Sequence, residues 1–482
     1  MIALIKNFYS KYFLSITLVV FFILSVANIN KSAFWRDEAF SVNTATKDVF
    51  EIITISSQDT QPPLHMLLLH ISYLIFGKSG EGVFRIWSVI GAMFTIFYTI
   101  RISQKIFKEK TLHYITSLLI AFNPLIYFYS LEARSYSLLT ATFTGSFYFT
   151  LKYLSKKSTL NTIFLLINLI LGLYLHNLFV IGVFVIFVII IGEKIRIKKF
   201  SSSITSIIFL SLIVFLSYIP WLLSLLQQYN TIANQGFWLS FKPESDFYRV
   251  LLSVFIGDYY ISGLIPIDLL ARLMSTIGLI GIIFGFINEL KNFKNKFPIL
   301  IMITLFPMTI FYFLSFKTPF MYIRYLFYLV PLCLILAIYG LQKIRKLLII
   351  LVISTIVFTC CTQIISFPSK EDYPSAIKTI DYRPSTDVIL HKNALPVFGF
   401  RYYSDLPSYI FNSPGEVGFY EGKAGLISSD YWQGNINNYE RLWVLNVYQD
   451  KDFEDKIVSL GFIKSDEKNF AGDLNLYLYV KQ

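Results

Sequence analysis

Apolar runs separated by short basic or aromatic-polar stretches occupy the chain almost continuously up to residue 366. Crossing a ~30 Å hydrocarbon core takes about 20 apolar residues of helix. Runs of that order fall at 12–29, 83–100, 111–129, 133–151, 159–175, 177–192, 204–226, 268–287, 297–316, 322–341 and 347–366. The apolar stretch 63–76 is too short to cross, and predicts an interfacial or re-entrant helix. Lys6 and Lys11 precede the first run and no small-residue cleavage pattern follows it, so it reads as a retained anchor helix rather than a signal peptide.

Charge decides the parity of crossings. With 63–76 left out, alternate connections gather 19 Lys and Arg against 3 Asp and Glu, whereas the other side of residues 1–366 holds 11 of each. That asymmetry is the positive-inside pattern. It predicts eleven crossings, a cytoplasmic N-terminus and residues 367–482 outside the cytoplasm. Counting 63–76 as a crossing would move every later basic loop to the outside.

Composition agrees with lipid as the main solvent. The chain is 55% hydrophobic and 15% charged, where soluble domains carry about 25% charge, and its mean hydropathy is +0.59. The net charge of +12 is uneven: residues 367–482 hold 12 Lys and Arg against 16 Asp and Glu, so the first 366 residues carry +16. Topology accounts for this basic excess without a nucleic-acid partner. Cys333, Cys360 and Cys361 all lie in apolar runs, which argues for packing rather than a disulfide framework or a cysteine zinc site.

Beyond residue 366, Pro, Asn, Asp and Gly become common. Residues 387–390, 441–446 and 474–480 read as strands, and 451–460 as an amphipathic helix. The expected architecture is a polytopic α-helical membrane protein of the plasma membrane. Residues 1–366 form its transmembrane domain, with interfacial helices in 30–82, and 367–482 form a small extracytoplasmic α/β domain.

This topology gathers polar chemistry at the outer face. The first long outer segment carries Asp37, Glu38, Asp48, Glu51, Asp59 and His65. A later turn holds Glu132, Arg134 and Tyr136, another holds His176, and Lys317 and Arg324 precede the tenth run. Each also has a structural reading. Glu132 and Arg134 can cap a turn, Arg324 can snorkel to headgroups, His176 can end a helix, and His65 and His70 have poor spacing for one-face metal binding. The combination is more pointed: an acid in the first loop, an acid with an arginine in a later one, and an arginine in the last. A carboxylate can take the proton of an attacking hydroxyl, and guanidinium groups bind phosphate in bidentate fashion and stabilise it as it departs. Those parts suit transfer of a sugar from a polyprenyl-phosphate carrier. Phosphate leaves readily, so no second carboxylic acid is required, unlike glycoside hydrolysis.

Several motifs carry a family resemblance. Trp35-Arg36-Asp37-Glu38-Ala39 follows the first run, Gln61-Pro62-Pro63-Leu64-His65 leads into 71–77, and Arg85-Ile86-Trp87 opens the second run. Glu132-Ala133-Arg134-Ser135-Tyr136, Tyr174-Leu175-His176 and Arg324-Tyr325 follow in order. Over roughly residues 12–340 the chain resembles the GT-C superfamily of glycosyltransferases, in its protein O-mannosyltransferase and aminoarabinose transferase-like branch (glycosyltransferase families 39 and 83). The resemblance implies inverting transfer from a polyprenyl-phosphate sugar donor on the extracytoplasmic face, with a glycolipid, polysaccharide or protein as acceptor. It implies Asp37 as catalytic base, Glu38 as a ligand for acceptor or metal, Glu132 as a second acid of the site, and Arg324 and Arg134 as ligands of the lipid phosphate. His176, Tyr136 and His65 complete the set as substrate contacts. Some members use a divalent cation such as Mg or Mn, which Asp37 and Glu38 could hold only with further ligands; no organic cofactor is implied. The alternative is a transporter or flippase of lipid-linked sugars. That function calls for charged or broken-helix elements near the midplane and often for paired halves, and the charges of this chain lie at the outer ends of its runs.

Overall fold

A computed structural model of the chain describes residues 2–156, 158–235, 239–258, 265–293, 297–364, 370–448 and 451–482. It divides into two compact units, one of Met1–Asn28 with Arg85–Pro368 and one of Ile29–Phe84 with Ser369–Gln482. The segment containing Asp37 is thus grouped with the C-terminal residues.

The first unit is helical, and every one of the eleven apolar runs is occupied by helix. Among the described residues, five helices are long and apolar enough to cross a membrane: Gly82–Ile106, Phe200–Asn234, Ile265–Lys291, Ile323–Leu341 and Arg345–Gln363. The pair Lys110–Ala121 and Pro124–Ser130 makes a sixth if taken as one bent span. Two runs that read as continuous are broken. At 111–129 the chain bends by 49°, because Asn123 caps the second piece through Leu125 N and Ile126 N and Pro124 has no N–H to continue the ladder. At 297–316 the break falls after Ile303, four residues before Pro307, whose ring would clash with the Ile303 carbonyl.

Packing in this unit turns on small residues. Helix Ile265–Lys291 lies along Val330–Leu341 so closely that a Cβ on Gly340 would stand 2.0 Å from the Gly281 carbonyl oxygen, and one on Gly285 would stand 2.4 Å from that of Leu336. Close backbone approach through small residues is how helices associate where apolar burial alone gives no preference for protein over lipid. By contrast, Phe200–Asn234 buries little of itself and exposes Ile208, Phe209, Leu212, Phe215 and Leu216, a surface suited to acyl chains.

The second unit is built on a five-stranded mixed sheet of order β2-β1-β3-β5-β4. Its strands are β1 (Asp387–His391), β2 (Ser408–Ile410), β3 (Arg441–Val447), β4 (Phe462–Phe470) and β5 (Leu474–Lys481). β1 runs parallel to β2 and β3, while β5 is antiparallel to β3 and β4. β1 is buried throughout, as expected of a parallel strand covered on both faces. Val388, Leu390, Leu442 and Val444 pack with Phe453 and Ile457 of helix Lys451–Ser459 on one face. Ile389, Trp443 and Leu445 pack with Tyr373 and Phe400 on the other. Asp387 ties the sheet by accepting from Arg441 Nε at 2.9 Å and Nη2 at 2.6 Å, and from Trp443 Nε1 at 3.0 Å.

Three helices from the earlier segment, Arg36–Ala45, Val49–Gln58 and Leu64–Phe76, complete this unit. Phe34 N donates to the Tyr403 hydroxyl at 2.7 Å, which in turn donates to Glu81 Oε1 at 2.6 Å. Asn43 Nδ2 donates to the Phe398 carbonyl at 2.9 Å, and the Phe40 ring stands edge-on to Phe398 at 5.1 Å.

Candidate active site

In the second unit the relevant residues lie in the first turn of helix Arg36–Ala45. Asp37 and Glu38 are both there, where carboxylates meet the positive end of the helix dipole. Glu38 is fully buried and paired with Lys370 Nζ at 2.9 Å, the lysine side chain being 9% exposed. Removing one partner of such a pair strands the other's charge, at about 3–5 kcal/mol. On the other side of Asp37, Arg36 Nε stands 3.3 Å from Glu371 Oε1. Arg36 Nη2 donates to the Tyr448 hydroxyl at 2.8 Å, and the guanidinium lies 5.1 Å over the Tyr448 ring and 5.9 Å over that of Trp35. Asp37 itself is half-buried.

Burial pushes the Glu371 carboxyl up to about 7, against the pull of Arg36 and backbone N–H groups, with the Asp37 carboxylate pushing in the same direction as burial. Two backbone features hold this corner. Tyr448 adopts φ +65, a left-handed conformation that is rare for an aromatic residue and marks local strain. Gly472, at φ +73, passes so close to the 370–371 backbone that a Cβ there would stand 2.4 Å from Glu371 N. His65 lies on the buried face of Leu64–Phe76 with Met66, Leu69 and Ser72.

In the first unit, the bend at Asn123 leads through Pro124–Ser130 into the turn 131–135. The Ser88 hydroxyl anchors that turn on the carbonyls of Glu132 and Arg134, the latter at 3.1 Å. A Cβ on Gly91 would stand 2.6 Å from Leu138 N, so a glycine lets helix Gly82–Ile106 lie against the start of helix Tyr136–Ser155, just beyond the turn. Glu132 and Arg134 are buried, and the Arg134 guanidinium lies 5.8 Å over the Tyr136 ring. Tyr129 links Tyr136, at 5.2 Å, to Phe327, at 4.6 Å.

His176 caps helix Thr159–Leu175, accepts from Leu178 N at 3.2 Å and packs 5.9 Å from Tyr325. Burial, then the charge of Arg134, pushes its imidazole down to about 4, so it stands neutral at physiological pH. Arg324, in the short helix Ile323–Leu326, stacks 5.7 Å over Tyr322. Burial pushes the Asp258 carboxyl up, with Arg324 and Arg249 pulling the other way. A cavity of about 330 Å³ adjoins this group and is lined in part by Lys242, Asp246, Arg249, Asp258 and Tyr322.

Asp37, Glu38 and His65 therefore belong to the second unit, and Glu132, Arg134, Tyr136, His176 and Arg324 to the first. Sequence reasoning gave no role to Arg36, Lys370, Glu371 and Tyr448 in one, nor to Arg249 and Asp258 in the other. The signal for the first set was the charged triplet Lys370-Glu371-Asp372 just past the last apolar run. Among the described residues no three or more His, Cys, Asp or Glu side chains come together as a metal-holding group, and Glu38 is already committed to Lys370. Among the described residues, Asp37 and Glu38 are not joined by a third side chain of this kind in a metal-holding group.

Residues 60–222 match the family model of the dolichyl-phosphate-mannose-protein mannosyltransferases. With the helical fold and its appended small sheet, this makes the chain similar to the GT-C superfamily of glycosyltransferases. Among solved structures, it is similar to ArnT from Cupriavidus metallidurans bound to undecaprenyl phosphate, with a TM-score of 0.59 over 97% of each chain at 10% identity. The likeness is one of fold. The same ArnT in its apo state gives a TM-score of 0.48 over 98% of each chain at 9% identity. No curated protein matches the sequence significantly.

Proposed function

We propose that the chain is an inverting membrane glycosyltransferase that moves a sugar from a polyprenyl-phosphate donor to a hydroxyl acceptor on the extracytoplasmic face. It would cross the plasma membrane eleven times with its N-terminus in the cytoplasm, and its acceptor would be a glycolipid, polysaccharide or protein. The observation that supports this most is the match of residues 60–222 to a mannosyltransferase family. ArnT, whose fold is similar, binds undecaprenyl phosphate, which points to the same class of carrier.

Asp37 takes the proton of the acceptor hydroxyl as its oxygen attacks the anomeric carbon. The bond from that carbon to the phosphate oxygen breaks, the electron pair leaves with the phosphate, and one displacement inverts the anomeric configuration. Arg324 and Arg134 balance the charge gathering on the departing phosphate. Glu132 is held beside Arg134 as the second acid, and neutral His176 and Tyr136 serve as hydrogen-bonding and stacking contacts for substrate. No step runs through a cation.

Deletion of the gene, followed by mass spectrometry of surface glycolipids and glycoproteins, identifies the sugar and acceptor by the mass that disappears. Complementation with Asp37→Asn should leave that mass absent, with expression and polyprenyl-phosphate binding retained. Wild-type glycan in those cells would remove Asp37 from the mechanism.

A further inference from the structure

Two consecutive residues from the C-terminal part of the chain grip both neighbours of the proposed base. Lys370 pairs with Glu38 at 2.9 Å, and Glu371 pairs with Arg36 at 3.3 Å. All six residues, from 36 to 38 and from 370 to 371 with Tyr448, belong to the same compact unit. We infer that the Lys370-Glu371 dipeptide is a clamp that aims the Asp37 carboxylate; this rests on Asp37 being the base.

The helix geometry shows why such a clamp works. Successive side chains in the first turn fan out at about 100° intervals. Pinning residues 36 and 38 by charge leaves the backbone of residue 37 little freedom to rotate, and the carboxylate is delivered to the half-exposed side. The clamp also sorts charge. The Arg36 guanidinium is held by Glu371 and the Tyr448 hydroxyl, which fixes where its charge lies. The strained Tyr448 and the close passage of Gly472 behind Glu371 are the supports such a clamp requires. Lys370 and Glu371 are positioning residues: they act through Asp37 without touching substrate. The groups facing Glu371 are Arg36 and Asp37 from helix Arg36–Ala45 and Tyr373 from helix Tyr373–Lys378.

The test uses the full chain in the deletion strain, with glycan mass as the activity readout and polyprenyl phosphate alone as the binding probe. Glu371→Gln and Lys370→Met keep shape while removing charge. Each should cut the glycan by about tenfold to a hundredfold, the cost of a base misplaced by about 1 Å, with phosphate binding at the wild-type level. The exchange of Arg36→Glu with Glu371→Arg should recover most of the glycan that either single change loses. Wild-type glycan in both neutral variants would overturn the clamp. So would loss of phosphate binding in step with glycan and no recovery on exchange, since that pattern marks a merely structural pair. Asp37→Asn separates the two ideas: full glycan there defeats the base itself, whereas an inactive Asp37→Asn beside fully active clamp variants defeats only the clamp.

Discussion

Glu371 shows how a single side chain can report on the corner it occupies. Its carboxyl titrates near 7 in the folded chain and near the usual carboxylate value of about 4.3 when unfolded. Over that window the folded state binds more protons, so stability falls as pH rises from about 4.3 to about 7. Thermal unfolding of the purified chain should therefore be steeper in pH than that of Glu371→Gln, which has no proton to lose; equal slopes would place Glu371 in a wetter setting. Arg324 makes a different prediction. A charge-assisted bond to the donor phosphate is worth about 1.5–3 kcal/mol, so Arg324→Ala should weaken polyprenyl-phosphate binding roughly tenfold to a hundredfold, as read by titration in detergent. Asp37, Glu132, Arg134 and Arg324 stood out in the sequence because carboxylates and guanidiniums beside apolar runs are few. Lys370 did not, since its partner Glu38 lies 332 residues away and no local pattern joins them.

At the level of elements, apolar run length located helices well, because lipid leaves the backbone no partner but itself. The breaks were harder to see, although Asn123-Pro124 is a turn signal. In the sheet, β1, β3 and β5 announced themselves through apolar residues buried on the sheet's faces. β4 did not: it carries Lys464, Asp466, Glu467 and Lys468 and is exposed along most of its length. That is how a sheet edge discourages pairing with another chain, and such a segment looks like a loop in sequence. β2 has three residues, too few to show alternation. The glycine contact of helices Ile265–Lys291 and Val330–Leu341 gives a sharp expectation. Gly340→Ala forces a methyl against the Gly281 carbonyl and should destabilise the chain by about 1–3 kcal/mol, measured as a lowered melting temperature in detergent.

For the molecule as a whole, 19 basic residues against 3 acidic ones in alternate connections predict that residues 367–482 face outward. Single cysteines at exposed positions such as Ser429 or Lys468, introduced into a chain lacking Cys333, Cys360 and Cys361, should react with an impermeant maleimide added outside intact cells. Labelling only after lysis would reverse the assigned parity.

The second unit is assembled from two stretches of chain far apart in sequence. Its parts are Ile29–Phe84 and Ser369–Gln482, so the stretch bearing Asp37 is synthesised before its partners Lys370, Glu371 and Tyr448. Closing so long a loop adds little to the entropy cost over a loop half its length, but it imposes an order of events. A ribosome must translate past residue 371 before residues 36–38 can settle, and a chain cut short at residue 368 would leave Arg36 and Glu38 without their counter-charges.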